Sequence, residues 1–426
     1  MHRSMWCAMA LAMAGSSAHA QTTEEYRQLQ QRVQRLEAQS RAQSQPRGQA
    51  AFNPEISLIL QGTAASIERD PETYQITGFA PSGGEVGPPR RGFSLSESEF
   101  VLSGNVDPYF GAKLVAALTP EDEIEVEEAF FTTLALGRGL TLKGGRFLSG
   151  IGYQNEIHQH AWDFQDAPLV YSAFLGGRLN DDGVQLRWVA PTDFLIELGA
   201  EAGRGRSFPA TDPNKNGAGA WSLFGHVGGD AWGSAWRAGL SYLRVKPSDR
   251  AFEDLDSTGN PTTQSFSGTS KLWIADFVAK WTAFKVQAEY FRREESGELG
   301  FDDSGGAAVF GPLADSYKST QSGWYAQAVY RFLPQWRAGY RYDRLDHGTV
   351  SNGIVDNGLG PTAADFPLLM TDYNPRRNTV MVDWSPTEFS RVRLQYAADK
   401  SRANVTDNQV VLQYILSLGA HGAHRF

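Results

Sequence analysis

The sequence predicts an all-β protein, a transmembrane antiparallel β-barrel of about 16 strands that follows a short N-terminal coiled-coil helix. Three observations lead to this fold class. Segments of about ten residues alternate apolar and polar side chains from Ile56 onward. Short and long connections between these segments take turns along the chain. Aromatic residues make up 12% of the 426 residues and glycine contributes 44, a composition typical of many short strands.

Composition also excludes several classes of protein. Lys and Arg total 39 against 48 Asp and Glu, and this net charge of −9 argues against a nucleic-acid partner. A single cysteine cannot form an internal disulfide or a thiolate zinc site. Beyond the N-terminus no apolar run reaches the roughly 18 residues that a membrane-spanning helix needs.

Residues 1–20 are predicted to be a secretory signal peptide. Arg3 supplies the positive charge, Met5–Gly15 supplies the apolar stretch, and Ala18-His19-Ala20 places small residues before the cleavage point. An N-terminal anchor helix is the alternative, although its apolar run is short for a span. The only cysteine, Cys7, lies within this segment and would leave with it.

Residues 21–45 are predicted to form a short coiled-coil helix, because apolar residues recur there at spacings of three and four. Two heptads are marginal alone, so the pattern fits an oligomerisation stalk and a solvated helix equally well. Residues 46–55 are expected to be a linker, and residues 56–426 the barrel. The heptad residues are Tyr26, Leu29, Val33 and Leu36.

Sixteen segments qualify as strands of membrane-spanning length, which is about 9–11 residues. Tight turns such as Asp107-Pro108 and Leu333-Pro334 alternate with long polar stretches, and only the short link 119–122 breaks this alternation. Short turns on one rim and long loops on the other are typical of outer-membrane barrels. The predicted strands are 56–67, 93–106, 109–119, 123–134, 140–148, 182–190, 193–203, 219–228, 234–245, 270–281, 284–293, 322–332, 335–345, 376–385, 389–398 and 407–419.

Aromatic side chains near the strand ends fit the girdles of such a barrel. They are Trp324, Trp336, Trp384 and Tyr396. A soluble sheet with one buried face is the alternative, but the signal peptide and the loop alternation disfavour it. The chain ends in Phe426 after an alternating strand, which resembles the assembly signal of outer-membrane barrels, and the barrel assembly machinery is therefore an expected partner.

The chain resembles Gram-negative outer-membrane porins, and more closely the phosphate-selective-porin-like group. The fragments that carry this likeness are EVEEAFF (125–131) and LTLKGGRF (140–147). A fainter likeness to zinc-regulated outer-membrane proteins rests on HQHAWDF (158–164) and HGAHRF (421–426). The resemblance implies a sixteen-stranded, trimeric barrel in lipid and lipopolysaccharide that passes small solutes without a cofactor. No lysine-rich constriction is evident, so phosphate is not carried over as the solute.

The segment 149–181 would be the third long loop, which in porins of this layout folds into the lumen as a strap. Its acidic and histidine residues are predicted to form the pore constriction, facing a wall of arginines on the inward parity of the strands. Such charges sort solutes in a narrow pore, although inward acids leave the choice between anions and cations open. The constriction residues are Glu156, His158, His160, Asp163 and Asp166, and the wall residues are Arg187, Arg237, Arg331, Arg337, Arg341, Arg391 and Arg393.

The wall arginines could equally only pair with acids in the lumen and stiffen the barrel. His158 and His160 form an H-x-H pair, which with Glu156 or Asp163 could hold a transient zinc ion. Without a metal, these histidines would simply line the gate and gain charge near pH 6–6.5.

Other functions fit the sequence less well. No histidine has a nucleophile context such as G-x-S-x-G, so an enzyme is not expected. An energy-coupled receptor needs about 22 strands and a plug, for which the chain is too short. The alternatives to a porin are an uptake protein for zinc or another metal, and a plugged barrel that serves as receptor or adhesin.

Overall fold

The computed structural model describes residues 54–83, 86–211, 216–231, 233–306 and 308–419, and these form one closed antiparallel β-sheet. The predicted signal peptide, the coiled-coil helix, most of the linker and Phe426 lie outside the described residues. No helix among the residues described is long and apolar enough to cross a membrane.

Eighteen strand segments make up the sheet, and two pairs of them each act as one barrel strand, so that the barrel has sixteen. β2 and β3 both pair with β1, and β10 and β11 both pair with β12. The segments are β1 Glu55–Ile67, β2 Gly92–Leu95, β3 Ser98–Asn105, β4 Phe110–Leu118, β5 Ile124–Thr133, β6 Leu140–Leu148, β7 Asn180–Val189, β8 Leu195–Gly203, β9 Ala220–Ala231, β10 Ser234–Val245, β11 Arg250–Leu255, β12 Pro261–Lys280, β13 Phe284–Asp302, β14 Leu313–Leu333, β15 Trp336–Asn352, β16 Arg376–Thr387, β17 Ser390–Lys400 and β18 Asp407–Gly419.

The sheet closes because β1 pairs on both edges. Ser57 lies opposite Gly419 of β18, and Leu58 lies opposite Phe100 of β3. Among the described residues every barrel strand thus has a hydrogen-bonded neighbour on both sides, which a membrane-spanning sheet requires. Short helices interrupt the long connections at Leu169–Leu175, Gly353–Asp356 and Pro367–Met370, and 3₁₀ turns lie at Pro71–Thr73, Gln159–Ala161 and Ala363–Asp365.

The alternation of side chains has the predicted phase. On β17, Leu394 and Tyr396 are exposed on the outer face, while Arg393 and Gln395 are buried inside. Two aromatic levels bound the outer apolar face. On β14, Trp324 and Phe332 are both exposed and stand eight residues apart, about 27 Å along the strand. Allowing for a tilt of about 40°, the two levels are about 20 Å apart, close to the apolar band of about 25 Å in outer-membrane barrels.

Four neighbouring strands are much longer than the predicted ones. β12, β13, β14 and β15 have 20, 19, 21 and 17 residues. The extensions carry polar residues on the outward parity, such as Glu294 and Lys318, so they run beyond the apolar band. The sequence does not predict these extensions, because membrane strands are predicted from an apolar outer face and the outer face of the extensions is polar.

The inner faces of these extensions surround a second apolar core, which we call the upper cluster. The segment 353–370 folds over them from the long-loop end. The cluster contains Phe252, Phe266, Leu299, Phe301, Tyr317, Ile354, Phe366 and Leu369. On the other side of the barrel, β4 and β5 are joined by the short connection 119–123, so the rim has very unequal height.

Candidate functional site

The segment 149–179, here called the strap, folds into the barrel. Its helix, Leu169–Leu175, has all seven residues buried, because it packs against the wall and against Ile76 and Phe79 of the connection between β1 and β2. Pro168 precedes the helix and Gly176, with φ +65°, ends it. Burying each large apolar side chain contributes about 1.5–3 kcal/mol, so this contact fixes the strap to the wall. The core contains Ile151, Leu169, Val170, Tyr171, Phe174 and Leu175 of the strap with Leu243, Leu272, Ile274, Phe291, Tyr325 and Leu345 of the wall.

Two wall carboxylates hold the start of the strap. Glu201 of β8 accepts hydrogen bonds from the Ser149 hydroxyl and, at 2.8 Å, from the Gly150 N–H. Glu289 of β13 accepts from the N–H groups of Tyr153 and Gln154 at 3.1 and 3.0 Å. Inward polar residues on the strands therefore satisfy backbone groups that the loop conformation leaves unpaired.

Gly152 makes this approach to Glu289 feasible. Its φ is +67°, which other residues rarely adopt, and a Cβ at this position would stand 2.6 Å from Oε2 of Glu289. The Tyr171 hydroxyl donates to the same oxygen at 2.9 Å. The glycine thus lets one carboxylate bind both the first turn of the strap and its helix.

The acidic residues of the predicted constriction lie against the wall. Asp163 contacts Nζ of Lys285 at 2.7 Å and Nη1 of Arg337 at 3.1 Å. The other two acids are also paired: Glu156 with Arg187, and Asp166 with Arg341 and Arg377 at 2.8 and 2.7 Å. The sequence predicts that these acids face the arginines; in the structure they are in direct contact, so the charges of each pair neutralise one another. Arg377, Lys285 and Tyr153 were not among the predicted residues, although their inward parity could have shown the first two.

These contacts set the pKa values of the strap acids. Burial alone would raise the pKa of Asp163, but Lys285 and Arg337 outweigh it and hold the pKa well below its ordinary value. Burial opposes ionisation of Asp166 in the same way, and Arg341 and Arg377 lower its pKa. Both side chains are therefore carboxylates at neutral pH.

Some arginines of the predicted wall are buried, and others are in contact with water in the lumen. Arg341 and Arg393 are 1% exposed and bridge the strap to wall acids, as the stiffening interpretation expects. Arg393 also donates to the Trp162 carbonyl at 2.7 Å. Arg331 is exposed close to the short turn after β14, so it does not join the strap.

The remaining wall cations keep part of their surface in the lumen. We call Arg187, Arg237, Lys280, Lys285, Arg337 and Arg391 the basic lining. Side-chain exposure is 22% for Arg187, 21% for Arg237 and 18% for Arg391, whereas their partners Asp276 and Asp383 are fully buried. Cations also surround the Tyr153 ring, with Arg237, Lys285 and Lys280 at 4.9, 5.3 and 5.8 Å from its centroid. The charge in contact with lumen water is thus mainly positive, with Glu156, at 28%, the most exposed acid of these pairs.

The two histidines of the strap lie in a separate cluster against β3 and β5. His158 Nδ1 stands 3.2 Å from Glu127 and 3.3 Å from Glu99, and its Nε2 stands 3.0 Å from Glu128. His160 Nδ1 lies 2.8 Å from the other oxygen of Glu99. Burial alone would lower the pKa of His158, but these three carboxylates hold it well above its ordinary value.

A β-bulge brings two neighbouring glutamates to this cluster. Val115 pairs with Glu128 and Ala116 with Val126, so Glu127 is the extra residue of β5. Glu127 and Glu128 therefore both point inward. The sequence predicts Glu156 or Asp163 beside the histidines, but in the structure these acids bind Arg187 and Lys285 instead. Two adjacent glutamates within a predicted strand, EVEEAFF, were the signal that could have indicated the bulge.

Comparison with known proteins supports the fold. No family model matches the sequence. The chain is similar to an uncharacterised protein of Aquifex aeolicus strain VF5, with 31% identity over 415 residues that cover 90% of this chain and 82% of the relative.

Among solved structures, the chain is similar to a loop-deletion mutant of OmpT, an outer-membrane protein of Vibrio cholerae, with a TM-score of 0.52, 12% identity and coverage of 86% of this chain and 99% of that one. It is also similar to DcaP, an outer-membrane channel of Acinetobacter baumannii, with a TM-score of 0.51, 13% identity and coverage of 87% and 99%. The trimer form of Vibrio cholerae OmpT has a TM-score of 0.50, 11% identity and coverage of 86% and 99%. The chain thus has the sixteen-stranded, porin-like barrel fold that the sequence predicts.

Proposed function

This chain belongs to the same family as the Aquifex aeolicus protein, and from that premise and its porin-like fold we propose that it is an outer-membrane porin through which small hydrophilic solutes diffuse passively. Support comes from the closed barrel, whose inward face is polar and charged along most strands. DcaP, which shares the fold, is described as an outer-membrane channel.

We propose that the pore prefers anionic solutes, because the basic lining exposes positive charge to the lumen. Its cations other than Lys280 keep 17–22% of their side-chain surface, while Asp163, Asp276 and Asp383 keep 0–7% and the two acids beside Arg187, Glu156 and Glu197, keep 28% and 13%. In a narrow pore with low-dielectric walls, wetted charges of one sign raise the local concentration of the opposite ion.

The strap is proposed to be the gate, in the sense of a standing constriction. Carboxylates from β8, β13, β15 and β16 bind it directly or through bridging arginines along its length. A loop held at so many points narrows the lumen permanently and sets the size limit of the solute.

A homotrimer is proposed as the assembly, in contact with lipid and lipopolysaccharide. The trimer form of OmpT supports this by fold alone. On this chain, the low rim at 119–123 leaves the apolar outer faces of β4 and β5, including Phe110 and Ile124, free of overhanging loops. The partnership of Phe426 with the barrel assembly machinery stays a proposal from the sequence.

The experiment is single-channel recording of the purified full-length protein in a planar bilayer with a potassium chloride gradient. We expect stepwise conductance and a reversal potential of the sign for chloride selectivity. Lys280→Gln with Arg391→Gln should move the reversal potential toward zero, because both side chains are in the basic lining and neither has a short ion pair. Arg376→Gln, on the outer face, is the matched control and should leave it unchanged.

Two results would contradict the proposal. A reversal potential of the opposite sign would overturn anion preference while leaving a porin. A correctly folded barrel without conductance at any voltage would overturn the porin and favour a plugged barrel that acts as receptor or adhesin.

A further inference from the structure

The histidine cluster contains more buried negative charge than its fixed cations offset. Four carboxylates, from Glu97, Glu99, Glu127 and Glu128, are at most 8% exposed. Arg178 binds Glu97 and Glu127, and Lys113 binds Glu128 at 2.6 Å. Four carboxylates against two permanent cations leave two negative charges, which burial makes costly and which only protons on the two imidazoles or a bound cation can offset.

One oxygen of this cluster has no hydrogen-bond donor. Glu99 is fully buried, and its Oε1 faces His160, but its Oε2 makes no hydrogen bond among the described residues. Oε2 points to the space between His158 and Glu127, where Nδ1 of His158 stands 3.3 Å away. A buried carboxylate oxygen without a donor needs a cation or a water at this point.

The spacing of the surrounding atoms matches a coordination shell. Nδ1 of His158 lies 3.2 Å from Oε2 of Glu127 and 3.3 Å from Oε2 of Glu99, and one ligand atom from each of the three residues lies within 4.8 Å of the others. Ligands at about 2.0–2.1 Å from a tetrahedral zinc ion stand about 3.4 Å apart. The gaps along the two His158 edges are therefore already close to those of a metal site.

We propose that Glu99, Glu127 and His158 bind a divalent transition-metal ion of the zinc type, with water completing the shell. A mixed imidazole and carboxylate set favours zinc or cobalt over magnesium and calcium. His160 is a positioning residue, since its Nδ1 holds the second oxygen of Glu99. The His158 side chain keeps 13% of its surface open, which gives the ion access from the lumen.

Metal binding at Glu99, Glu127 and His158 can be measured directly, so its test does not depend on whether the barrel conducts. The rival arrangement is a proton on each of the two imidazoles, which would also offset the charge. His158→Lys separates the two cases: it keeps a positive charge in the cluster but removes the ligand nitrogen.

The test is calorimetric titration of the purified, chelator-stripped full-length protein with zinc chloride, repeated with cobalt chloride and read by visible absorption. We expect one ion per chain at this site and a cobalt spectrum typical of a four-coordinate site. Glu99→Gln, Glu127→Gln, His158→Ala and His158→Lys should each weaken binding at least tenfold, and His160→Ala about tenfold or more. His347→Gln is the matched control, because His347 binds the Leu369 carbonyl elsewhere in the barrel.

Each variant is checked for the heat-dependent mobility shift of a folded barrel on gels, so that misfolding is distinguished from lost ligands. Absence of zinc binding by the folded wild type overturns the proposal. Binding that survives His158→Lys and Glu99→Gln, or that disappears only with His421→Ala and His424→Ala, overturns it as well.

Discussion

Asp343 on the wall of β15 accepts a hydrogen bond from the backbone N–H of Leu169, the first residue of the strap helix, at 2.9 Å. The carboxylate is fully buried, and its other oxygen binds Nε of Arg341 at 2.9 Å. Arg341 in turn contacts Asp166 of the strap. The carboxylate of Asp343 thus joins the wall to the strap, through its hydrogen bond to Leu169 and through Arg341.

Replacing this carboxylate should release the strap helix. Asp343→Ala removes the acceptor for Leu169 and leaves Arg341 short of a partner, and losing one side of a buried charged pair costs about 3–5 kcal/mol. We expect noisier open-channel current and a lower unfolding temperature. Asp343→Asn keeps one acceptor oxygen, so its current noise and unfolding temperature should lie between those of the wild type and of Asp343→Ala. A quiet, unaltered current in the alanine variant would show that the helix does not depend on this contact.

Gly152→Ala should loosen the first turn of the strap. The new Cβ would meet Oε2 of Glu289 at 2.6 Å and would impose a positive φ on alanine, which costs about 1–2 kcal/mol before the clash is counted. Faster cleavage of the strap in limited proteolysis is the expected readout. Gly177→Ala is the control, because it has a positive φ but no atom within 4 Å of the new Cβ. Equal sensitivity of both variants would mean that strain alone, without the contact, explains the effect.

The strap should detach from the wall in acid. Asp163 and Asp166 have folded-state pKa values below their ordinary value of 3.8, so their ion pairs stabilise the folded state above about pH 4. This contribution is lost as the pH falls through the folded-state pKa values. Current noise should therefore stay low from neutral pH to about pH 4 and rise below it. Asp163→Asn with Asp166→Asn should be noisy already at pH 7, and a quiet double variant would refute the role of the acids.

Phe366→Ala should destabilise the upper cluster without altering the part of the barrel within the apolar band. Its ring is fully buried and lies 5.2 Å from that of Phe301, and removing a buried phenylalanine costs about 3–5 kcal/mol. Hydrogen exchange should accelerate in segment 353–370 and in the ends of β13 and β14 next to it. Leu359→Ala, at an exposed position, should change neither. Acceleration throughout the barrel would show that the segment 353–370 and the barrel unfold together.

Sequence reasoning predicted the strands of the membrane-length barrel well, because alternation is imposed wherever one face meets lipid and the other water. It missed the ends of β12 to β15, where both faces are polar or covered by the upper cluster. It also paired His158 with acids near it in sequence, whereas Glu99 and Glu127 come from strands. Those partners depend on barrel closure and on the bulge in β5, and neither leaves a periodic signal.

The unequal rim gives the barrel an oblique mouth. The long-loop end of the barrel has a tall wall formed by β12 to β15 on one side and the five-residue connection 119–123 on the other. If solutes enter from this end, as we propose for a porin, they have a much lower edge to cross on the side of β4 and β5 than on the side of β12 to β15. Any neighbour beside β4 and β5 in the membrane, including a further copy of the barrel, would therefore stand at the low side of this opening.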